Sequence, residues 1–175
     1  MNPLQLLEIL QQQRASGYPD VAGAHASVTI PLSDRLVATL VRENLPLNAP
    51  VREIDLKAQG ENRFTVRVRL TRPALLPPVS VNLFIEHQPR LPEQPFLVLR
   101  VGASGGLMSL AGVALRFFSF LPPGIEMDGD RIVVNLRALL EQRGAGEVLD
   151  YVEHLEVMAE QGRFVISARG GLPGG

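Results

Sequence analysis

Apolar and polar residues alternate with a period of two along several segments of this chain. Residues 63–71 show the pattern most clearly, with Phe64, Val66, Val68 and Leu70 separated by threonine and arginine. Alternation of this kind places one side of a strand in the core and the other in water, which is typical of antiparallel sheets. The pattern predicts strands over 25–30, 51–59, 63–71 and 79–87.

The second half of the chain carries three further strand signals. An apolar run at 96–101 predicts a strand that is covered on both faces. The dipeptide Asp128-Gly129 favours a tight hairpin turn, so 125–127 should pair with 131–135. The last two strands are predicted over 155–159 and 163–168.

Helical spacing of apolar residues marks five segments. Asn2 and Pro3 form a good helix start and predict an amphipathic helix over 3–14. This helix either packs on its own domain or lies on a membrane or partner. Ser33 caps a second helix that ends near residue 44. The other helices are predicted over 107–121, 136–143 and 147–154.

The order of these elements repeats itself. Residues 28–68 run strand, short helix, strand, turn, strand, and residues 132–168 run through the same series. Val28 to Leu32 correspond to Ile132 to Leu136, and Phe64 corresponds to Phe164. The repetition predicts two related β-α-β-β units, with chance similarity between amphipathic strands as the alternative.

Composition narrows the function classes. The chain has 175 residues, enough for one core, so a single domain is expected over 1–169, with a disordered tail at 170–175. Its net charge of −1 provides no field that would attract nucleic acid. The absence of cysteine excludes disulfides and thiolate sites. The N-terminus lacks the features of a secretory signal, and the longest uncharged stretch, 101–115, is shorter than the roughly 20 residues of a membrane-spanning helix. A cytoplasmic location is therefore expected.

Few polar residues form a pattern that indicates catalysis. His25, His87 and His154 are far apart in sequence and lack the spacing of a metal-binding helix. The acidic residues at 126–130 lack the ligand spacing of a calcium loop. The glycine-rich residues 102–106 lack the Lys-Ser/Thr pair of a phosphate-binding loop. We therefore predict a protein that is not an enzyme and that uses neither a metal nor a cofactor.

The segment 107–121 is apolar on nearly every side, which is unusual for a helix on a protein surface. Such a helix is enclosed by its own fold, contacts a partner subunit, or lines a site for a greasy ligand. The residues predicted to line that site are Leu107, Leu110, Val113, Phe117, Phe118 and Phe120.

Arginines are the other candidates for binding. Arg67 and Arg69 project from one side of a predicted strand, and Arg116 lies on the narrow polar line of the apolar helix. They are predicted to contact a lipid headgroup or a partner, but a solvated outer sheet face is the favoured explanation for Arg67 and Arg69.

Five short segments give the chain a resemblance to known proteins. They are Ser-Val-Thr-Ile-Pro-Leu at 27–32, Ile-Asp-Leu-Lys at 54–57, Asn-Arg-Phe-Thr-Val-Arg-Val at 62–68, Gly-Asp-Arg-Ile-Val-Val-Asn-Leu at 129–136, and Gly-Arg-Phe-Val-Ile-Ser at 162–167. In this order they resemble bacterial lipid-binding proteins of the LmeA-like and tubular lipid-binding (TULIP-like) type. The resemblance covers roughly residues 26–169. It implies an α+β fold with a curved, mainly antiparallel sheet packed on helices, and a channel or groove for acyl chains without a chemical reaction.

Two functions follow as predictions. In the first, an apolar groove binds a lipid or another hydrophobic small molecule, with peripheral membrane contact as an open question. In the second, the protein is structural or scaffolding, and the same apolar surfaces form the interface of a homodimer or complex.

Overall fold

A computed structural model describes residues 24–46, 49–71, 78–102 and 122–171 of this protein. Within them the chain is mostly antiparallel sheet with short helices, which confirms the α+β class. The elements in chain order are β1 (His25–Ser33), α1 (Asp34–Glu43), β2 (Val51–Gly60), β3 (Arg63–Leu70), β4 (Val79–His87), β5 (Phe96–Val101), β6 (Ile125–Asp128), β7 (Arg131–Asn135), α2 (Leu136–Glu141), a 3₁₀ helix (Gly146–Tyr151), β8 (Val152–Glu160) and β9 (Arg163–Gly171).

The strands form two sheets rather than one. Six strands pair in the order β2-β3-β4-β5-β7-β6, and three pair in the order β1-β9-β8. Every ladder is antiparallel. The first strand therefore pairs with the last, and the ends of the described chain lie side by side.

The two sheets meet at their hairpin turns. The N–H of Asn62, in the β2–β3 turn, donates to the carbonyl of Ala159 at 3.1 Å, and the N–H of Gly162, in the β8–β9 turn, donates to the carbonyl of Ala58 at 3.1 Å. The ring of Phe64 packs edge to face against Phe164, with 5.2 Å between ring centroids. The turn of each hairpin thus donates one N–H to a strand carbonyl of the other hairpin.

Side-chain amides complete this junction along the free edge of β8. The side chain of Gln88 donates to the carbonyl of Val157 at 2.7 Å and accepts from the N–H of Val157 at 2.9 Å. The side-chain oxygen of Asn62 accepts from the N–H of Ala159 at 3.1 Å. These bonds satisfy backbone groups of β8 that no neighbouring strand reaches.

Both helices begin with a side-chain cap, of which the sequence predicts the one at Ser33. The Ser33 hydroxyl accepts from the N–H of Leu36 at 3.3 Å, and the Asn135 side chain accepts from the N–H of Ala138 at 3.1 Å. Helix α1 lies against β2, where the Asp34 carboxylate accepts from the N–H of Ala58 at 3.2 Å.

The main core lies where the two sheets meet. Its buried members come from both sheets and are aliphatic except for two phenylalanines. They are Ala58, Phe64, Leu83, Ile85, Leu97, Val101, Ile132, Ala159 and Phe164.

Several predicted boundaries differ from the structure. The helix predicted over 147–154 is a 3₁₀ helix that ends at Tyr151, and β8 begins three residues earlier than predicted. The β-branched Val152 at this position favours the extended conformation. At the other end β9 runs to Gly171, beyond the predicted start of the tail, because Gly170 and Gly171 pair with β1. A side chain at Gly170 would collide with the carbonyl of Tyr151 at the end of the 3₁₀ helix, so β9 requires glycine at this position. Residues 172–175 and the predicted helix 3–14 lie outside the described residues.

Candidate functional site

One face of the three-stranded sheet is apolar along its whole length. In an antiparallel pair, opposed residues project from the same face. The register therefore brings Leu32, Phe164 and Ala159 into one row across the sheet. The next row consists of Ile30, Ile166 and Val157, and the third of Val28, Ala168 and Leu155.

Exposure on this face increases with distance from the hairpin junction. In the first row Phe164 and Ala159 are buried. In the second row Ile166 and Val157 are half-buried, while Ile30 is 44% exposed. In the third row Val28 is 51% exposed. The apolar area exposed to water on this face therefore increases from the first row to the third. Contiguous exposed apolar surface of this kind often marks a binding site.

The six-stranded sheet turns an apolar inner face toward the same core. Its row at the junction, Ala58, Phe64, Leu83 and Val101, is entirely buried. A second buried row is formed by Ile54, Val68 and Val79. Between the two rows lies a half-buried strip made of Leu56, Val66 and Val81. This strip packs against the same core as Leu32 and Val157 of the smaller sheet.

Helix α1 adds further exposed apolar side chains. Its stripe is Leu36, Val37, Leu40 and Val41, and no residue of the helix is buried. Val37 packs against the core, whereas Leu36, Leu40 and Val41 remain exposed. We name as the apolar site the half-buried strip, the second and third rows of the small sheet, and this helix stripe.

The outer face of the six-stranded sheet is polar and carries two of the predicted contact residues. Arg67 and Arg69 are exposed and lie on the side of β3 opposite to Val66 and Val68. Arg69 forms an ion pair with Glu53 at 3.5 Å. A ligand held by the inner face is therefore beyond the direct reach of both arginines, and their position suits a partner contact on the outer face.

The strongest charged cluster of the described residues surrounds Glu86, also on the outer face. Arg131 donates from Nε to Oε2 at 2.7 Å and from Nη2 to Oε1 at 3.3 Å, and Arg100 forms an ion pair with the same carboxylate. The hydrogen bond from Arg131 holds the pKa of Glu86 below its ordinary value; burial opposes this, and the charges of Arg100, Arg131 and His87 add to it. The same bond raises the pKa of Arg131. Arg100 also forms an ion pair with Asp130 at 3.9 Å, so two carboxylates balance the two arginines. The cluster therefore links β4, β5 and β7 and does not hold an open anion site.

Histidine and carboxylate side chains of the described residues were the candidates for metal binding and acid-base chemistry. No group of His, Asp and Glu in these ranges is suitable for holding a metal ion. His25 lies 3.8 Å from Glu153, and His87 lies 3.8 Å from Glu86, and both imidazoles are largely exposed.

The residues predicted to line a ligand site lie outside the described residues. They are Leu107, Leu110, Val113, Phe117, Phe118 and Phe120, together with Arg116. The structure instead shows exposed apolar residues on β1 and α1, which the sequence predicted only as a strand and a helix. Their sequence signal was an uncharged strand, 26–33, followed at once by an amphipathic helix.

Comparison of the chain with protein-family models, with curated proteins and with solved structures found no match. Among the described residues no helix is both long and apolar enough to cross a membrane.

Proposed function

We propose that this protein binds a lipid or another hydrophobic small molecule at the apolar site and performs no chemical reaction. The observation that carries the proposal is the graded exposure of the small sheet, from buried Phe164 to half-exposed Ile30 and Val28. A folded chain that leaves such a face beside its own core gains stability when an apolar ligand covers it.

Affinity would come from removing apolar surface from water. Each buried methylene contributes about 0.8 kcal/mol, and micromolar binding requires about 8 kcal/mol, so an acyl chain would have to bury about ten methylenes along the apolar site. No charged side chain projects from the apolar rows, so selectivity among acyl chains would be loose. The apolar segment 107–121 begins six residues after the end of β5 in the sequence, and we propose that its predicted residues add to the lining.

The proposal extends to the architecture. We propose that the two sheets form one curved antiparallel body that bends at the hairpin junction and is built from two related β-α-β-β units, as in the LmeA-like and TULIP-like proteins that the sequence resembles. Support comes from the capped helix that follows both β1 and β7, although the caps Ser33 and Asn135 lie two residues out of register with the sequence alignment, and from the reciprocal bonds between the two hairpin turns. The paired rings of Phe64 and Phe164 occupy equivalent positions in the two units.

A pair of neighbouring substitutions on β9 tests the binding proposal. Ile166→Asp places a charge on the apolar face, and Ser167→Asp places the same charge on the opposite face of the same strand; both positions are half-buried. Titration with the fluorescent fatty acid cis-parinaric acid reports binding. We expect the wild type and Ser167→Asp to bind alike and Ile166→Asp to lose at least tenfold in affinity, with both variants checked for an unchanged circular dichroism spectrum. Equal affinities in all three proteins would overturn the proposal.

The alternative function is a structural or scaffolding protein whose apolar surfaces contact a second chain. The specific observation that favours it is the open edge of β1, which pairs only with β9 among the described strands. If the protein has only this structural function, the titration will show no binding of the fatty acid, and the purified protein will be an oligomer.

A further inference from the structure

The two units differ at one strand edge. In the sequence alignment Val28 to Pro31 of β1 correspond to Ile132 to Asn135 of β7, and each strand leads into a capped helix. Strand β7 is paired on both sides, by β5 and by β6. Strand β1 is paired by β9 alone in the described part of the chain.

The backbone directions on β1 follow from the bonds of the small sheet. The N–H groups of Val157 and Ala159 bond the side chains of Gln88 and Asn62, so they point away from β9. Because direction alternates along a strand, the residues of β9 that face β1 are Phe164, Ile166 and Ala168. Their partners on β1 are Leu32, Ile30 and Val28, which leaves Ser27, Thr29 and Pro31 directed at the open edge.

The backbone groups of β7 alternate in the same way, and the edge of β7 that corresponds to the open edge of β1 is paired with β6. The N–H of Asn135 donates to Gly124 on the β6 side, and the N–H of Leu136 donates to Pro95 on the β5 side. Arg131 and Val133 therefore face β6, as Ser27 and Thr29 face the open edge of β1. Pro31 has no N–H to donate at this edge, so a strand that pairs with β1 loses the bond at that position, and pairing is best centred on Ser27 to Thr29.

From this difference we infer that the open edge of β1 pairs antiparallel with β1 of a second copy of this chain. Proteins usually protect exposed edges with charge or with proline. Residues 26–33 carry no charge, and their one proline, Pro31, lies outside the segment Ser27 to Thr29. An edge without charge brings no like-charge repulsion to pairing with a second copy, which makes that copy a compatible partner. A two-fold axis at Val28 pairs Ser27 with Thr29 of the second copy and places the exposed Val28 side chains of the two copies beside each other, so the apolar face continues from one copy to the other. This inference goes beyond ligand binding and does not depend on it.

Because the chain contains no cysteine, single cysteines can report the register. In the inferred pairing Val28 lies opposite Val28 of the second copy, at a Cα separation of about 4.5 Å that a disulfide can bridge. Ile30 lies four residues from its own copy, about 13 Å along the strand, and cannot be bridged. Under mild oxidation Val28→Cys should give a disulfide-linked dimer, and the equally exposed control Ile30→Cys should remain monomeric in denaturing electrophoresis.

Sedimentation of the full chain over a wide concentration range gives the second measurement. We expect a reversible dimer whose dissociation constant rises about tenfold or more in Thr29→Pro, which removes one edge N–H from each copy, and stays unchanged in Thr29→Val. A monomer at every concentration, or equal cross-linking of both cysteine variants, would overturn the inference. The cysteine pair decides the matter even if Thr29→Pro does not fold, since neither cysteine variant removes an N–H.

Discussion

Replacing Gln88 by alanine tests how the two sheets are held together. The Gln88 side chain makes two hydrogen bonds to the backbone of Val157, at 2.7 and 2.9 Å, and both partners are half-buried. A typical bond of this kind contributes about 0.5–1.5 kcal/mol net, and water reaches a half-buried group only in part. The variant should therefore lose about 1–3 kcal/mol in the free energy of unfolding.

Urea unfolding at neutral pH measures this loss, and the dependence on urea should be unchanged because the same surface is exposed on unfolding. The matched control is Gln59→Ala. Gln59 also bonds another residue, Thr65, at 2.7 Å, but on the exposed outer face, so its loss should be within about 0.5 kcal/mol.

A second readout locates the effect. Amide hydrogen exchange of Val157 should become faster in Gln88→Ala, while Met158, which bonds β9, should change only with global stability. The variant Gln88→Glu keeps an acceptor but sets a carboxylate against the Val157 carbonyl. Its deficit should shrink in acid, where the protonated side chain can donate again. If Gln88→Ala is as stable as the wild type and Val157 keeps its protection, the junction does not depend on this amide.

Three further predictions concern the core, the outer face and one glycine. Phe164→Ala should destabilise by about 3–5 kcal/mol in urea unfolding, and a double-mutant cycle with Phe64→Ala should show coupling of about 0.5–1.5 kcal/mol; additivity would refute the ring contact. The folded pKa of Glu86 is lowered, so its stabilisation is present above the unfolded value and is lost as pH falls through the folded value. Glu86→Gln should therefore flatten the fall of stability below about pH 4.3, and an unchanged acid limb would contradict the role of Arg131. Gly170→Ala should lower the free energy of unfolding by about 1–3 kcal/mol, measured by thermal unfolding, since the new Cβ meets the Tyr151 carbonyl of the 3₁₀ helix. An unchanged stability would show that β9 and the 3₁₀ helix are not in close contact here.

Local signals were sufficient for several of the described elements. The predicted bounds of β4 and β5 agree with the structure, because each has a clear apolar pattern flanked by proline or glycine. Asp128-Gly129 forms the predicted turn between β6 and β7, with Gly129 at a φ of 60°. Ser33 caps α1 as predicted.

The division into two sheets could not be predicted in the same way. The pairing of β1 with β9 joins residues as far apart as Thr29 and Ser167, and alternation says which side of a strand is apolar but not which strand lies beside it. Contacts such as Gln88 with Val157 depend on that pairing and have no local signature. The apolar site could not be predicted for the same reason. Val28 and Ile30 have the side chains of core residues, and only the structure shows that they are exposed.

Native mass spectrometry of the freshly purified full-length protein, followed by organic extraction and lipid analysis, tests ligand binding most directly. The proposed function predicts a bound hydrophobic species that adds to the mass of the chain, is released on denaturation, and is absent from Ile166→Asp but present in Ser167→Asp. A protein that carries no such species and takes none up from added fatty acid would contradict it.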